Sequence, residues 1–131
     1  MQRHNLRSQN EINRKELIKY IVQGIQEVKG HDIVDIDLRE IKNPICDNFI
    51  ICHGTSKRQV DAIAESVEKS VKENTSINPW HKEGTQNAEW ILLDYIDVVV
   101  HIFNEQNRKF YNLEGLWADA EIIQIDQINK E

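Results

Sequence analysis

Apolar positions recur with helical spacing near the start of the chain. Across residues 11–29 they stand every three or four positions, with charged residues between them. This spacing predicts an amphipathic helix, and Gly30 directly after it is typical of a helix end. The apolar positions are Ile12, Leu17, Ile18, Ile21, Val22, Ile25 and Val28.

Two segments with strand patterns follow. In DIVDIDL, residues 32–38, apolar residues alternate with Asp35 and Asp37. The alternation predicts a strand with one buried face and one face in water. FIICHG, residues 49–54, is almost continuously apolar, which is typical of a central strand covered on both faces.

A second helix begins at Ser56. The sequence has Gln59 three residues later, and this S-x-x-Q spacing predicts a capping box. The Ser56 hydroxyl would accept the Gln59 amide proton, and the Gln59 side chain would return to the Ser56 amide. The buried stripe of this helix is expected to consist of Val60, Ile63, Ala64, Val67 and Val71.

The segment EWILLDYIDVVVHIFN predicts an antiparallel hairpin, because two apolar runs flank residues 95–97. Trp90, Leu92 and Asp94 would share one face of its first strand. A polar connection precedes it over residues 74–89, and a helical stretch near residues 106–117 follows it. The predicted order is α-β-β-α-β-β-α, which indicates an α/β fold with a mixed β-sheet and flanking helices.

Composition and charge narrow the possible partners. The chain has 131 residues, enough for one domain, and a net charge of −6. An acidic domain is poorly suited to gripping nucleic acid or an anionic membrane and better suited to a basic protein. No apolar run approaches the roughly 20 residues of a membrane span, and the first ten residues lack the apolar block of a secretory signal. Cys46 and Cys52 show no metal-binding or disulfide pattern, which favours the cytoplasm.

The turn Gly54-Thr55-Ser56 raises an enzymatic alternative. A glycine-hydroxyl turn between a strand and a helix is similar to the phosphate turn of metal-dependent nucleotidyltransferases, and the pairs Asp35/Asp37 and Asp94/Asp97 offer carboxylates for a metal ion. In that family the carboxylates follow the turn, whereas Asp35 and Asp37 precede it. We therefore favour a helix cap with solvent-facing acids, and we expect no catalytic residues, metal or cofactor.

Several stretches together resemble the ribosomal silencing factor (Iojap) family. They are VKGHDIVDIDL, DNFIICHGTSKRQVDAIAESV, KEG, EWILLDYIDVVVHIF and RKFYNLEGLWADA. The resemblance implies a nucleotidyltransferase-like fold that lacks the catalytic carboxylates. It also implies binding to the large ribosomal subunit through ribosomal protein L-fourteen, steric blocking of small-subunit joining, and repression of translation under nutrient limitation. Family members form homodimers when free. A non-ribosomal protein-interaction domain is the remaining alternative.

The resemblance also divides the chain. Residues 1–14 are expected to be a flexible N-terminal extension, residues 15–120 the ribosomal silencing factor domain, and residues 121–131 an acidic C-terminal tail. One position departs from the family: Ile96 stands where a turn glycine is common, although a β-branched residue adopts positive φ only at a cost.

A partner-binding face is expected around the hairpin. Trp90 beside carboxylates suits an interface with a basic protein, although Trp90 and Tyr95 could instead be core residues, as Phe110 and Trp117 are expected to be. Lys57 and Arg58 offer a minor ribosomal RNA contact. The candidate binding residues are Trp90, Asp94, Tyr95, Asp97, His101, Lys82, Glu83 and Arg108.

Overall fold

A six-stranded mixed sheet organises the part of the chain that the structure describes. The structure is a computed structural model that describes the backbone over residues 3–125 and side chains over residues 13–125. The strands lie in the order β3-β4-β5-β2-β1-β6. β2 and β5 pair in parallel at the centre, and the other neighbours pair antiparallel. The elements are α1 (Arg3–Glu27), β1 (His31–Asp37), β2 (Asn48–Gly54), α2 (Lys57–Thr75), β3 (His81–Glu83), β4 (Trp90–Asp94), β5 (Val98–Asn104), α3 (Glu105–Tyr111), α4 (Leu113–Leu116) and β6 (Glu121–Gln124).

The mixed α/β class is confirmed, but the predicted order of elements is incomplete. The observed order inserts β3 before the hairpin, divides the last helix into α3 and α4, and adds β6. Every residue of β3 and β6 is exposed. Edge strands of this kind are defined by pairing with a neighbour, so they leave no apolar alternation in the sequence.

The segments near both ends of the described chain form regular secondary structure. α1 begins at Arg3, and the buried Arg14 donates from Nη1 to Asn48 Oδ1 at 2.6 Å. Within the segment expected to be an acidic tail, β6 pairs with β1. Residues 126–131 and the side chains of residues 1–12 lie outside the described part. The division of the chain at residues 14 and 120, and the flexibility of the extension, stay predictions.

α1 and α2 cover one face of the sheet, which we call the α1–α2 face. They approach closely at Gly24, where an added Cβ would stand 2.8 Å from the Ser66 carbonyl oxygen. The Ser66 hydroxyl donates to the Gly24 carbonyl at 2.6 Å. All the apolar residues predicted for the α2 stripe are buried in this core.

The N-terminus of α2 confirms half of the predicted capping box. The Gln59 amide donates to the Ser56 hydroxyl at 3.1 Å. The Gln59 side chain does not return to the Ser56 amide as predicted. Its oxygen accepts from the Thr55 amide at 2.9 Å, and its nitrogen donates to the Lys29 carbonyl at 3.1 Å. Gln59 therefore ties the start of α2 to the end of α1.

The opposite face, which we call the α3 face, carries a second apolar cluster. α3 leaves β5 on this side, and Leu113 of α4 packs there with residues of β1, β2 and β5. The predicted continuous helix over residues 106–117 is wrong. Asn112 takes φ +48 between α3 and α4, and a left-handed residue ends a helix.

The turn of the hairpin keeps a left-handed residue although the chain has no glycine there. Ile96 has φ +77, and the Asp97 amide donates to the Tyr95 carbonyl at 3.0 Å. A hydrogen bond between residues i and i+2 around a central residue of positive φ is typical of a strained γ-turn. The Asp94 carboxylate accepts from the Ile96 amide at 2.7 Å and so helps to hold it.

Candidate functional site

The predicted hairpin brings some of the candidate residues to one region of the α3 face. Trp90 and Asp94 lie on β4, half-buried, with side chains on this face. Glu83 of β3 pairs with Leu92, which in turn pairs with His101 of β5. Glu83, Trp90, Asp94 and His101 therefore belong to the same side of the β3–β4–β5 half of the sheet.

His101 holds Trp90 in place. The Trp90 indole Nε1 donates to His101 Nδ1 at 3.1 Å. Because Nδ1 accepts this bond, the neutral imidazole carries its hydrogen on Nε2, a buried atom that has no hydrogen-bond partner among the described residues. Burial lowers the pKa of His101 to about 4. At neutral pH, His101 is therefore an uncharged acceptor that orients the indole.

Asp97 offers an exposed carboxylate at the end of the hairpin turn, while its backbone serves the fold. The Asp97 carbonyl accepts from the amides of Asp47 and Asn48 at 2.8 and 3.2 Å. These bonds fix the turn against the start of β2. Because these hydrogen bonds hold the Asp97 backbone in place, they also fix the position from which its carboxylate reaches solvent.

Tyr95 and Lys82 lie on the other side of the sheet. Tyr95 belongs to the α1–α2 core, and its buried hydroxyl has no hydrogen-bond partner among the described residues. Burial, with a smaller contribution from Glu68, raises the pKa of the Tyr95 hydroxyl. Lys82 pairs with Glu68 of α2 at 3.2 Å. These two residues do not share a surface with Trp90.

Arg108 stands apart from the other candidates. It lies on α3, beyond the end of β5, and is 8% exposed. Its guanidinium contacts Glu114 at 2.7 Å, His53 Nδ1 at 2.9 Å and the His31 carbonyl at 3.4 Å. A side chain bonded on three sides fastens α3 and α4 to the sheet, and its role in partner binding stays a prediction.

The structure adds exposed aromatic residues that sequence reasoning missed. Phe110 is 80% exposed, so its expected place in the core is wrong, whereas Trp117 is half-buried against Phe49 with ring centroids 5.9 Å apart. In one unbroken helix, Phe110 and Trp117 would lie on the same side. The left-handed Asn112 ends α3 between them, so the two side chains lie on different sides. That Asn within an otherwise helical stretch was the available signal.

Phe110, Tyr111 and Trp90 form a continuous surface, which we call the aromatic patch. The centroids of Tyr111 and Trp90 are 4.8 Å apart, and those of Phe110 and Tyr111 are 5.1 Å apart. Tyr111 is 46% exposed. Exposed apolar residues in contact with one another are typical of protein interfaces.

The acids of β1 have structural partners. The Asp35 carboxylate accepts from the side-chain Nδ2 of Asn48 at 2.7 Å, and burial raises the pKa of Asp35. Arg39 donates to both carboxylate oxygens of Asp37, and these hydrogen bonds lower the pKa of Asp37. Among the described side chains, residues 13–125, no group of three or more metal-ligand side chains comes together. No helix of the described chain is long and apolar enough to cross a membrane.

Similar proteins place this fold in a family. The family model described as "Ribosomal silencing factor during starvation" matches residues 11–131. A Bacillus subtilis protein named ribosomal silencing factor RsfS is 38% identical over 115 residues, which cover 88% of this chain and 96% of the relative. A crystal structure of a Chromobacterium violaceum protein has a TM-score of 0.74 at 34% identity, covering 79% of this chain and 85% of the other. A Bacillus halodurans crystal structure has a TM-score of 0.72 at 36% identity, covering 85% and 99%. The chain therefore belongs to the ribosomal silencing factor family.

Proposed function

We propose that this chain binds the large ribosomal subunit through ribosomal protein L-fourteen and blocks joining of the small subunit, which represses translation under nutrient limitation. Membership of the family supports a ribosome-associated role in silencing translation, a regulatory role rather than a catalysed reaction. The observation that carries the proposal is the aromatic patch, which Trp90 of β4 forms with Phe110 and Tyr111 of α3 on the face that also carries Glu83 and Asp94.

The chemistry of this surface matches a basic protein partner. Trp90 is half-buried and held by His101, so little side-chain freedom is lost when a partner covers it. Glu83 is exposed and Asp94 is partly exposed on the same side of the sheet. Proteins that contact ribosomal RNA carry cationic surfaces, and carboxylates on the same face as an apolar patch complement such a surface.

The silencing step follows from occupancy alone. A bound domain at the face between the subunits excludes the second subunit by volume and needs no chemistry. We propose that the free protein is a homodimer in the cytoplasm, that Asp97 and His101 support the contact, and that Lys57 and Arg58 add at most a minor contact with ribosomal RNA. Both cations are exposed at the start of α2.

Co-sedimentation with purified large subunits tests the binding surface. Truncating a central interface Trp weakens binding by about 30-fold, so Trp90→Ala should largely abolish pelleting. Trp80→Ala is the matched control, because Trp80 is 74% exposed and lies outside the aromatic patch. Equal pelleting of the two variants would contradict the proposed surface.

Subunit joining tests the steric step. Large subunits saturated with the protein should fail to form complete ribosomes when small subunits are added, and the defect should scale with occupancy. If the subunits join normally while the protein remains bound, steric blocking is ruled out. The proposed binding to the large subunit would still stand.

The salt dependence of binding tests the nature of the contact. With a net charge of −6, the protein should rely on protein–protein contacts. Its affinity should fall by less than about tenfold between 50 and 200 mM salt, far below the 10³-fold or greater loss expected for many phosphate contacts. A steep loss would show that ribosomal RNA dominates.

A further inference from the structure

The two central parallel strands send their chains to opposite faces of the sheet. After β2 the chain enters α2 on the α1–α2 face, and after β5 it enters α3 on the α3 face. In open α/β sheets the crevice beyond the carboxyl ends of such diverging strands is where ligands bind. The topology of this chain thus marks a place separate from the aromatic patch.

A cleft lies next to that place, between α3 and the β1–β6 side of the sheet. Its volume is about 560 Å³, within the range of small-molecule sites. One wall comes from α3 and the start of α4, and the other from the beginning of β1 and the end of β6. The lining side chains that carry charge or polarity are Asp32, His53, Glu105, Arg108, Lys109, Asn112, Glu114 and Gln124, with Val34 and Ile125 as apolar neighbours.

Two buried polar side chains line the cleft. His53 is 6% exposed and Arg108 is 8% exposed. Because the Arg108 guanidinium donates to His53 Nδ1 at 2.9 Å, the neutral ring carries its hydrogen on Nε2. The described residues offer Nε2 no hydrogen bond. Burial and the Arg108 charge lower the pKa of His53, so the ring is a neutral donor beside the cleft.

The rim of the cleft has an unusual backbone. Asp32 takes φ +50, and the register of β1 against β2 shifts between His31 and Val34. Bulges and left-handed non-glycine residues cluster where a protein redirects a side chain at a functional site. Here the irregularity places Asp32 in the wall of the cleft.

The charges of the cleft have both signs. Arg108 and Glu114 pair at 2.7 Å and neutralise each other. The carboxylates of Asp32 and Glu105 and the ammonium of Lys109 remain in the lining. A polyanion would be repelled by the two carboxylates, and a simple cation would be repelled by the ammonium. A ligand that carries one ammonium and one carboxylate satisfies both.

We propose that this cleft binds a small zwitterion of the α-amino acid class. The carboxylate of the ligand contacts Lys109 and the Nε2–H of His53, and its ammonium contacts Glu105 and Asp32. The side chain of the ligand lies toward Val34 and Ile125. This proposal does not rest on the proposed function, because the cleft is formed entirely by residues of this chain.

Amide chemical shifts of the full-length protein test the proposal. Each of the twenty common L-amino acids is titrated singly up to roughly 20 mM, well above the dissociation constant of about 1 mM expected for so small a ligand. At least one should shift the amides of residues 32–33, 53 and 105–112 in a saturable way. The absence of saturable shifts with all twenty would overturn the proposal.

Matched ligands and variants test the chemical class. The decarboxylated and the deaminated analogue of the best ligand should each bind at least tenfold more weakly than the amino acid, as should the amino acid with Lys109→Gln or Glu105→Gln. Glu65→Gln and Lys69→Gln on the exposed side of α2 are the controls and should bind normally. Equal binding of either analogue, or of inorganic phosphate, would overturn the zwitterion assignment.

Discussion

α1 and α2 seal one face of the sheet, whereas α3 and α4 cover only part of the other. The α1–α2 face buries mostly aliphatic residues, together with the polar Arg14, Asn48 and Ser70. The α3 face mixes apolar residues with buried His53, His101 and Arg108, and it leaves Phe110 and Tyr111 exposed. Both faces therefore bury apolar and polar groups, but among the described residues the buried histidines and the aromatic patch belong to the α3 face. The following predictions test this difference between the faces.

The largest expected effect is a cavity in the α1–α2 core. Ile63 is fully buried there, and Ile63→Ala should lower the free energy of unfolding by about 3–4 kcal/mol through lost burial and a residual cavity. Urea unfolding measures the loss. A loss below about 1 kcal/mol would show that this layer is loosely packed and would weaken the contrast between the faces.

The next effect is a dependence of stability on pH that originates on the α3 face. Burial lowers the pKa of His101 to about 4 from its ordinary 6.5, so protons favour the unfolded chain. The contribution is complete above pH 6.5 and is lost as the pH falls towards 4, a total of about 3 kcal/mol.

His101→Gln isolates this contribution, because an amide accepts the Trp90 hydrogen bond but does not titrate. The advantage of the wild-type protein over the variant should shrink by about 3 kcal/mol between pH 7 and pH 4. The pKa of His53 is also lowered, but His53 is present in both proteins and cancels. A constant difference would mean that His101 is not buried as a neutral ring.

A smaller effect is expected at the hairpin turn. Ile96 is 61% exposed at φ +77, so its side chain contributes little burial while its backbone is strained by about 1–3 kcal/mol. Ile96→Gly should raise the free energy of unfolding by about 1 kcal/mol after the entropy of glycine is subtracted. Ile96→Ala should give less, since Ala keeps the Cβ. Destabilisation by glycine would show that the Ile96 side chain packs.

The smallest effect on stability is expected at the aromatic patch. Phe110→Ser should change the free energy of unfolding by no more than about 0.5 kcal/mol, because Phe110 is 80% exposed. The same variant should reduce pelleting with large subunits if the patch is the contact. Phe103→Ala, at a fully buried neighbour on the same face, should instead destabilise the protein about as much as Ile63→Ala, by about 3–4 kcal/mol. If Phe110→Ser pellets normally, Phe110 does not contact the large subunit, and the contact is limited to the part of the patch on β4.

The parts of the fold that sequence predicted are those with a strong local pattern. Burial leaves a clear apolar pattern in three parts of the sequence: the continuous run of β2, the stripe of α2 and the alternating faces of the hairpin. β3 and β6 have no such pattern, because pairing with β4 and β1 is what makes them strands. The break at Asn112 was missed because only glycine marks a left-handed residue strongly.

The candidate site was predicted unevenly for a related reason. The period of two along β4 correctly placed Trp90 and Asp94 on one face. The same period puts Tyr95 on the other face, where it is buried. Local periodicity says nothing about the cleft, since its walls come from the beginning of β1, the end of β6 and α3, which only the three-dimensional fold brings together.

One short helix touches both special regions of the α3 face. α3 carries Arg108 in the wall of the cleft and Tyr111 against Trp90, less than one turn apart. A seven-residue helix moves as a rigid piece, so a shift at one end displaces the other. If both proposed sites are occupied and α3 shifts with either ligand, the two binding events are linked. Linkage is reciprocal, so the factor by which the small molecule changes the affinity for the large subunit equals the factor by which the large subunit changes the affinity for the small molecule.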